Sequence, residues 1–185
     1  MIRALLHRQL TAFERAMNYD ASYMRQLLDD GGPWTFFKFS LLPSLGRGRH
    51  APKEALAAAG IVGTLAEDCG PCTQIGVDMA AQSGVSADVL RAILVGDEAA
   101  MGETAALGYR FAKAVLDRDL ERADWQREEI IRRWGKVALV DLGLSLTTSR
   151  MYPTLKYALG HGKTCSRVTV AGAPAPFHRP EALAA

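Results

Sequence analysis

The chain is poor in the features that most readily name a function. It has 3 cysteines and 4 histidines in 185 residues. Three is an odd number, and too few to staple a small secreted scaffold. Neither charge sign is in excess: 22 Lys and Arg face 20 Asp and Glu, a formal net charge of +2. That is too little to argue for nucleic acid or an anionic membrane as a partner. No apolar run approaches the roughly 20 residues of a membrane span. The first 13 residues carry Arg3, His7 and Arg8 among their apolar side chains, so they predict a helix and not a signal peptide. Long alternating apolar–polar stretches are scarce, which argues against sheet. No repeat at a fixed period and no linker divide the sequence. These absences predict one globular domain in a reducing cytoplasm, with no nucleic-acid or membrane partner.

What is present is helical punctuation. Leu5, Leu6, Leu10, Phe13 and Met17 recur at helical spacing, predicting a helix over 3–17. Asp20 can cap a second helix through 30, which Gly31-Gly32-Pro33 stops. The apolar stretch 34–45 is expected to be a buried helix, with a strand as the alternative for a continuous apolar run. Residues 46–50, Gly-Arg-Gly-Arg-His, are expected to be a solvated basic linker, since no phosphate-loop pattern follows. An alanine-rich helix is predicted over 51–66, with Gly60 and Gly63 marking close helix–helix approach. Further helices are expected over 68–83, after a Ser86 cap, over 98–116, over 117–133 and over 136–151. The charges of 117–133 suit a solvated face above a buried stripe that includes Trp125 and Ile130. The segment 171–185, with three prolines and many alanines, is expected to be ordered only where a partner holds it. The predicted fold class is all-α, a multi-helix bundle of about eight to ten helices, a count tied to usual helix length.

One stretch names a chemistry: Glu67-Asp68-Cys69-Gly70-Pro71-Cys72-Thr73-Gln74. Cysteines at i and i+3 meet in the first turn of a helix, and Pro71 suits that turn because its missing N–H costs nothing there. Free N–H groups and the helix dipole favour thiolate over thiol. One thiolate can attack, and the second sulfur can resolve the product as a disulfide. Cys69 and Cys72 are therefore the candidate catalytic residues. Glu67 is a candidate base, although a like charge beside a thiol also opposes its ionisation and the residue also suits a helix start. A zinc site would need four ligands, and no second Cys-x-x-Cys or His pair exists. A thioredoxin-type domain would place the motif after a strand, whereas the preceding segment here is helical. Two small buried core residues are the plainest alternative.

Residues 67–80, following an alanine-rich helix, resemble the Cys-x-x-Cys helix of the alkylhydroperoxidase D-like, or carboxymuconolactone decarboxylase, family. The resemblance extends loosely over 50–160 and leaves 1–49 as an extra helical portion. It implies an all-helical fold, a cysteine helix buried near a subunit interface, homo-oligomers, and reduction of peroxides by the cysteine pair with an external thiol reductant. Two positions depart from the family pattern. Its histidine, four residues after the second cysteine, is Gly76 here, and its glutamate, twelve before the first, is Ala57. These residues move a proton from the attacking thiol to the leaving oxygen. Gln74 can orient a water but cannot replace them. Gly76 is expected to serve packing, as is Met79. Asp78 is expected to face solvent or an interface, and His161, Cys165 and Tyr152 to be structural.

The expected function is thus a thiol-dependent redox protein acting on a small peroxide or disulfide, with no cofactor and no metal. By resemblance Cys72 attacks; by helix-terminus electrostatics Cys69 does. Two competitors remain. One is a non-enzymatic helical binding module that keeps the scaffold. The other is the lactone decarboxylase branch, which does not need the cysteine pair.

Overall fold

A computed structural model describes residues 2–162 and 168–177. Among these, the all-α expectation holds with one addition. Eight helices run in order: α1 (Ile2–Met17), α2 (Ser22–Leu45), α3 (Lys53–Ala66), α4 (Gly70–Gln82), α5 (Ala87–Val95), α6 (Glu98–Leu116), α7 (Leu120–Trp134) and α8 (Lys136–Ala158). A small antiparallel hairpin, β1 (Val168–Val170) and β2 (Ala173–Ala175), follows. No described helix is long and apolar enough to cross a membrane.

Three caps follow from the sequence, whereas the Asp20 cap does not: Ala21 is the N-cap of α2, and Asp20 Oδ1 accepts from Ser22 N, only two residues on, at 2.9 Å. Ser86, Asp97 and Asp119 each accept a hydrogen bond from the backbone N–H three residues on, and so open α5, α6 and α7. α2 breaks where Gly32-Pro33 predicts: Gly32 takes φ 78° and ψ 173°, which a side chain would disfavour. α8 runs through Pro153 without a break, since one proline removes a single hydrogen bond and its flanking turns remain paired.

The centre of the molecule is α3. Its small residues pack on both sides at once. Ala58 and Ile61 join a core with α4, α5, α6 and the hairpin. Ala51, just before α3, joins Ala55, Ala59 and Val62 in a second core with α6, α7 and α8. Gly63 is required by this crowding: a Cβ there would lie 2.1 Å from Ser149 Oγ and 3.0 Å from the Leu146 carbonyl of α8. A third core, from α1 and α2, gathers Leu10, Tyr19, Tyr23, Met24, Leu28 and Phe36, touched by Ile75 of α4 and Leu159.

Other expectations need correction. The stretch 34–45 is helical but not buried; Trp34 is 66% exposed, Phe37 50% and Leu41 47%, and only Phe36 turns fully inward. An apolar run does not by itself show which faces find a neighbour. Trp125 lies outside the buried stripe of α7, at 71% exposed, while Ile130 is fully buried. Part of the segment expected to await a partner is held by the chain itself. Ala173–Ala175 pair with β1, whose Val168 and Val170 are buried against α4 and α5, and Ala171 and Gly172 both take positive φ, making the tight two-residue turn such hairpins favour. Residues 178–185 and Cys165 lie outside the described residues.

The basic loop is likewise no free linker. The N–H groups of Arg49 and His50 donate to Asp141 Oδ2 of α8 at 2.9 and 2.8 Å, and the His50 ring lies 3.2 Å from it. Gly48 permits this approach, because a Cβ there would fall 2.6 Å from Asp141 Cβ. Burial would raise the Asp141 pKa, but these bonds outweigh it and hold it below the usual 3.8. A depressed carboxylate contributes stability that is present above its unfolded value and lost as pH falls through its folded one. We therefore expect Asp141→Ala to lower the unfolding free energy in urea by about 1–3 kcal/mol at neutral pH. The deficit should shrink on acidification below about pH 4, the unfolded carboxylate range; a deficit independent of pH would contradict this account.

Candidate functional site

Cys69 and Cys72 are joined as a disulfide, their Cα atoms 5.3 Å apart. Cys69 is the N-cap of α4, and Pro71 lies in its first turn. The pair is fixed from below by two threonines. Thr73 N donates to the Cys69 carbonyl at 2.9 Å, and Thr73 Oγ1 lies 3.0 Å from the same carbonyl and 3.1 Å from Thr64 Oγ1. Thr64 Oγ1 donates in turn to the Ile61 carbonyl of α3. Both cysteines are buried.

The turn that delivers them is clamped to α8. Arg150 donates through Nε and Nη2 to Glu67 Oε1, at 2.6 and 2.5 Å. The Tyr157 hydroxyl donates to the Glu67 carbonyl at 2.5 Å. Asp68, next in the chain, takes a left-handed φ of 48°, a conformation that Asp tolerates better than most residues. Glu67 thus sits beside the cysteines in sequence but spends its carboxylate on Arg150.

The two sulfurs are not equivalent. A cavity of about 590 Å³ lies between the N-terminal helices and the α3, α4 and α8 faces, and Cys72 lines it while Cys69 does not. α1 and α2 form the roof with Leu10, Phe13, Tyr23, Met24, Phe36 and Phe39. α3 contributes Ala57, Gly60, Ile61 and Thr64; α4 contributes Cys72, Ile75, Gly76 and Met79; α8 contributes Ser145, Thr148, Ser149 and Tyr152. The volume falls in the range of roughly 300–1,000 Å³ that takes small molecules. The N-terminal portion, which resembled an appendage in sequence, therefore makes half of the wall. Its signal was the aromatic density of residues 13–39, with Phe13, Tyr19, Tyr23, Phe36 and Phe39 meeting edge to face or tilted at 5.9–6.4 Å.

Ala57 and Gly76, which stand where the resembled family has glutamate and histidine, both line this cavity. Gly76 is not a close-packing glycine: a Cβ there would meet only Ile61 Cγ1, at an ordinary 3.7 Å. Met79 is 40% exposed at the cavity wall and is not core. Gln74 is occupied elsewhere. Its Oε1 accepts from Thr169 N at 2.6 Å, and its Nε2 donates to the Thr169 carbonyl at 3.1 Å and to Asp78 Oδ1 at 2.8 Å. The amide pairs with β1 as another strand would. His161 bonds Ser22 Oγ and Gln26 Oε1, away from the cysteines. Among the described residues no group of three or more His, Cys, Asp or Glu could hold a metal ion.

A second depression, between α6 and α7, is lined by Glu103, Arg110, Glu129, Arg132 and Arg133. Its charges largely neutralise one another, Arg133 with Glu103 and Glu129, and Arg132 with Glu129, so it has little left to recognise a ligand. Comparison of the chain with family models, with curated proteins and with solved structures returns no match.

Three phenols line the cavity, those of Tyr19, Tyr23 and Tyr152. The Tyr152 hydroxyl is buried and has no hydrogen-bond partner among the described residues. Burial pushes its pKa up to about 12, against the opposing pull of the Arg47 charge. Burial raises Tyr19 to about 12 as well, and raises Tyr23 further. A phenol with a raised folded pKa contributes stability that is complete below its unfolded value of about 10 and is lost as pH climbs through the folded one. We expect phenolate absorbance from these three tyrosines to appear together with loss of helical circular dichroism between about pH 10 and pH 12. Their ionisation near pH 10 in a chain that is still helical would contradict the burial of the cavity wall.

Proposed function

We propose that the protein is a thiol-dependent oxidoreductase of the alkylhydroperoxidase D-like kind, cycling Cys69 and Cys72 between dithiol and disulfide. The observation that carries this is the placement of the pair at the start of α4 with Cys72 alone on the wall of an apolar cavity. The all-helical setting and the alanine-rich helix before the motif support the family likeness. Exposed apolar side chains on α2 and α8, among them Trp34, Phe37, Val137 and Val140, suit a homo-oligomer that covers them.

In the proposed cycle Cys72 is the attacking sulfur, because a substrate in the cavity reaches it and not Cys69. The N-terminus of α4 stabilises its thiolate. Arg150 offsets the charge of Glu67, which otherwise would oppose that thiolate; Glu67 then acts as a positioning residue for the cysteine turn. With a disulfide substrate, the Cys72 thiolate attacks one sulfur and the other leaves as a thiolate. Cys69 then attacks Cys72, releasing the second thiolate and closing the Cys69–Cys72 disulfide. Two electrons have passed from the protein dithiol to the substrate, and an external thiol restores them. With a hydroperoxide, the same thiolate attacks oxygen, the O–O bond breaks, and the leaving alkoxide must gain a proton. No carboxylate or imidazole among the described residues lines the cavity to give one. A thiolate leaves without protonation at neutral pH, so disulfide exchange suits this cavity better than peroxide reduction.

The reduced protein should therefore be oxidised by an apolar aryl disulfide well before it is oxidised by an equal concentration of cumene hydroperoxide, followed by alkylation and mass. Cys69→Ser should trap a mixed disulfide on Cys72, and Cys72→Ser should react at least tenfold more slowly. If neither oxidant reacts faster than with a free thiol in solution, and Cys72→Ser changes nothing, the chain is a binding module on a redox-like scaffold. Glu67→Gln should keep the reaction within about fivefold of wild type, because the carboxylate is engaged with Arg150; a loss as deep as that of Cys72→Ser would restore it as the base.

A further inference from the structure

The cavity wall carries charge of one sign only. Arg47 and Lys53 line it, and no Asp or Glu among the described residues does. Lys53 is partly committed, donating to the Gly84 carbonyl at 2.8 Å. The Arg47 guanidinium has no carboxylate within ion-pair distance among the described residues. Its neighbour Gly46 packs against Thr148, where a Cβ would come within 2.3 Å of Thr148 Oγ1, and Tyr152 lies one turn further along α8. Arg47 and the unpartnered Tyr152 hydroxyl therefore belong to the same end of the cavity, and the remaining wall is largely aliphatic and aromatic. A buried hydroxyl without a partner costs free energy that a bound acceptor would recover. A guanidinium beside it is the side chain best shaped for a carboxylate.

We propose that the cavity binds an amphipathic monoanion, a long-chain carboxylate whose head is held by Arg47 and the Tyr152 hydroxyl and whose apolar tail lies between the N-terminal helices and α4. Phe13, Phe36, Phe39 and Ile75 surround the tail. Gly76 and Ala57 leave the space that their larger counterparts in the resembled family would fill. The head takes one hydrogen bond from the phenol and one or two from the guanidinium. The tail supplies most of the affinity and the head supplies the choice of sign. This goes beyond the dithiol cycle and does not depend on it, since the ligand need not react in order to bind.

The test is calorimetric titration of the full chain in its disulfide form, below micelle-forming concentrations, with dodecanoate, octanoate and dodecyltrimethylammonium. Dodecanoate should bind at one site per chain. Octanoate should bind more weakly, by roughly two- to fourfold per methylene removed. The cation of equal chain length should bind at least tenfold more weakly than dodecanoate. Arg47→Gln, on an exposed loop side chain, should weaken dodecanoate about tenfold and narrow its preference over the cation. Tyr152→Phe should weaken it several-fold without lowering the urea midpoint, because the hydroxyl bonds nothing in the empty protein and its burial there is a cost. Gly76→Leu should abolish binding with helical content retained. Equal affinity for anion and cation, no saturable binding of dodecanoate, or full binding in Arg47→Gln would each overturn the proposal. The disulfide form cannot attack a substrate, so failure here leaves the dithiol cycle untouched, and failure of that cycle leaves this titration untouched.

Discussion

The whole arrangement depends on α3 being packed on two sides at once. A helix between two cores cannot carry large side chains toward both, because its neighbours must come close for either core to close. Its sequence meets this constraint with Ala55, Ala58 and Ala59 buried completely and with Gly63 against the α8 backbone. The larger residues come from the partners: Leu90, Ile93 and Leu94 in one core, Leu107, Ile130, Leu142 and Leu146 in the other. Glycine inside a helix costs about 1 kcal/mol relative to alanine, and the close contact at Gly63 offsets that cost. Each partner residue that reaches full burial contributes about 1.5–3 kcal/mol. Enlarging α3 would therefore forfeit far more than the helix propensity it might gain.

From that centre the site follows by chain geometry. α3 ends at Ala66, and three residues later the cysteine turn must reverse into α4. The turn is held by α8, which already packs along α3, so Arg150 and Tyr157 are in position to bind Glu67 without any further element. α4 then shares a core with α3 through Val77 and Ala80, while the face of Cys72, Ile75, Gly76 and Met79 lines the cavity. That face finds no close-packed helix. The N-terminal pair arches over it with large aromatic residues, and the gap between the two is the cavity. The cavity is a consequence of small residues on α4 meeting large ones on α1 and α2 without full interdigitation.

Much of this was legible in the sequence, and what was not has physical causes. Helix positions followed from capping residues and glycine breaks because these act within one turn of the chain. The cysteine pair at the start of a helix was legible for the same reason. Burial was less so. Trp34 and Trp125 are apolar at helical spacing, yet each points to a face that none of the other described residues covers; periodicity defines a stripe and cannot show whether a partner arrives. The hairpin was missed because β1 is only three residues long. Its local cues, the β-branched Val168-Thr169-Val170 and the Ala171-Gly172 turn, were outweighed by the prolines around them. Its anchor, Gln74, lies 95 residues away. Asp141 and residues 49–50 are likewise joined only in three dimensions.

The same distinction bears on the two positions that depart from the resembled family. In sequence, Ala57 and Gly76 are simply the positions where that family's glutamate and histidine are absent. In space both line one cavity. Neither can supply a proton, and no carboxylate or imidazole among the described residues lines that cavity. Its only charged lining residues, among those described, are cationic. Such a cavity is poorly equipped to protonate a leaving oxygen and better equipped to hold an apolar anion. The dithiol cycle proposed for the cysteine pair would draw its electrostatics from the N-terminus of α4 and from backbone N–H groups, not from the cavity wall. On that proposal, substrate choice and dithiol reactivity belong to different parts of the structure: the first to wall positions such as 57 and 76, the second to the turn that Glu67, Arg150 and Tyr157 hold together.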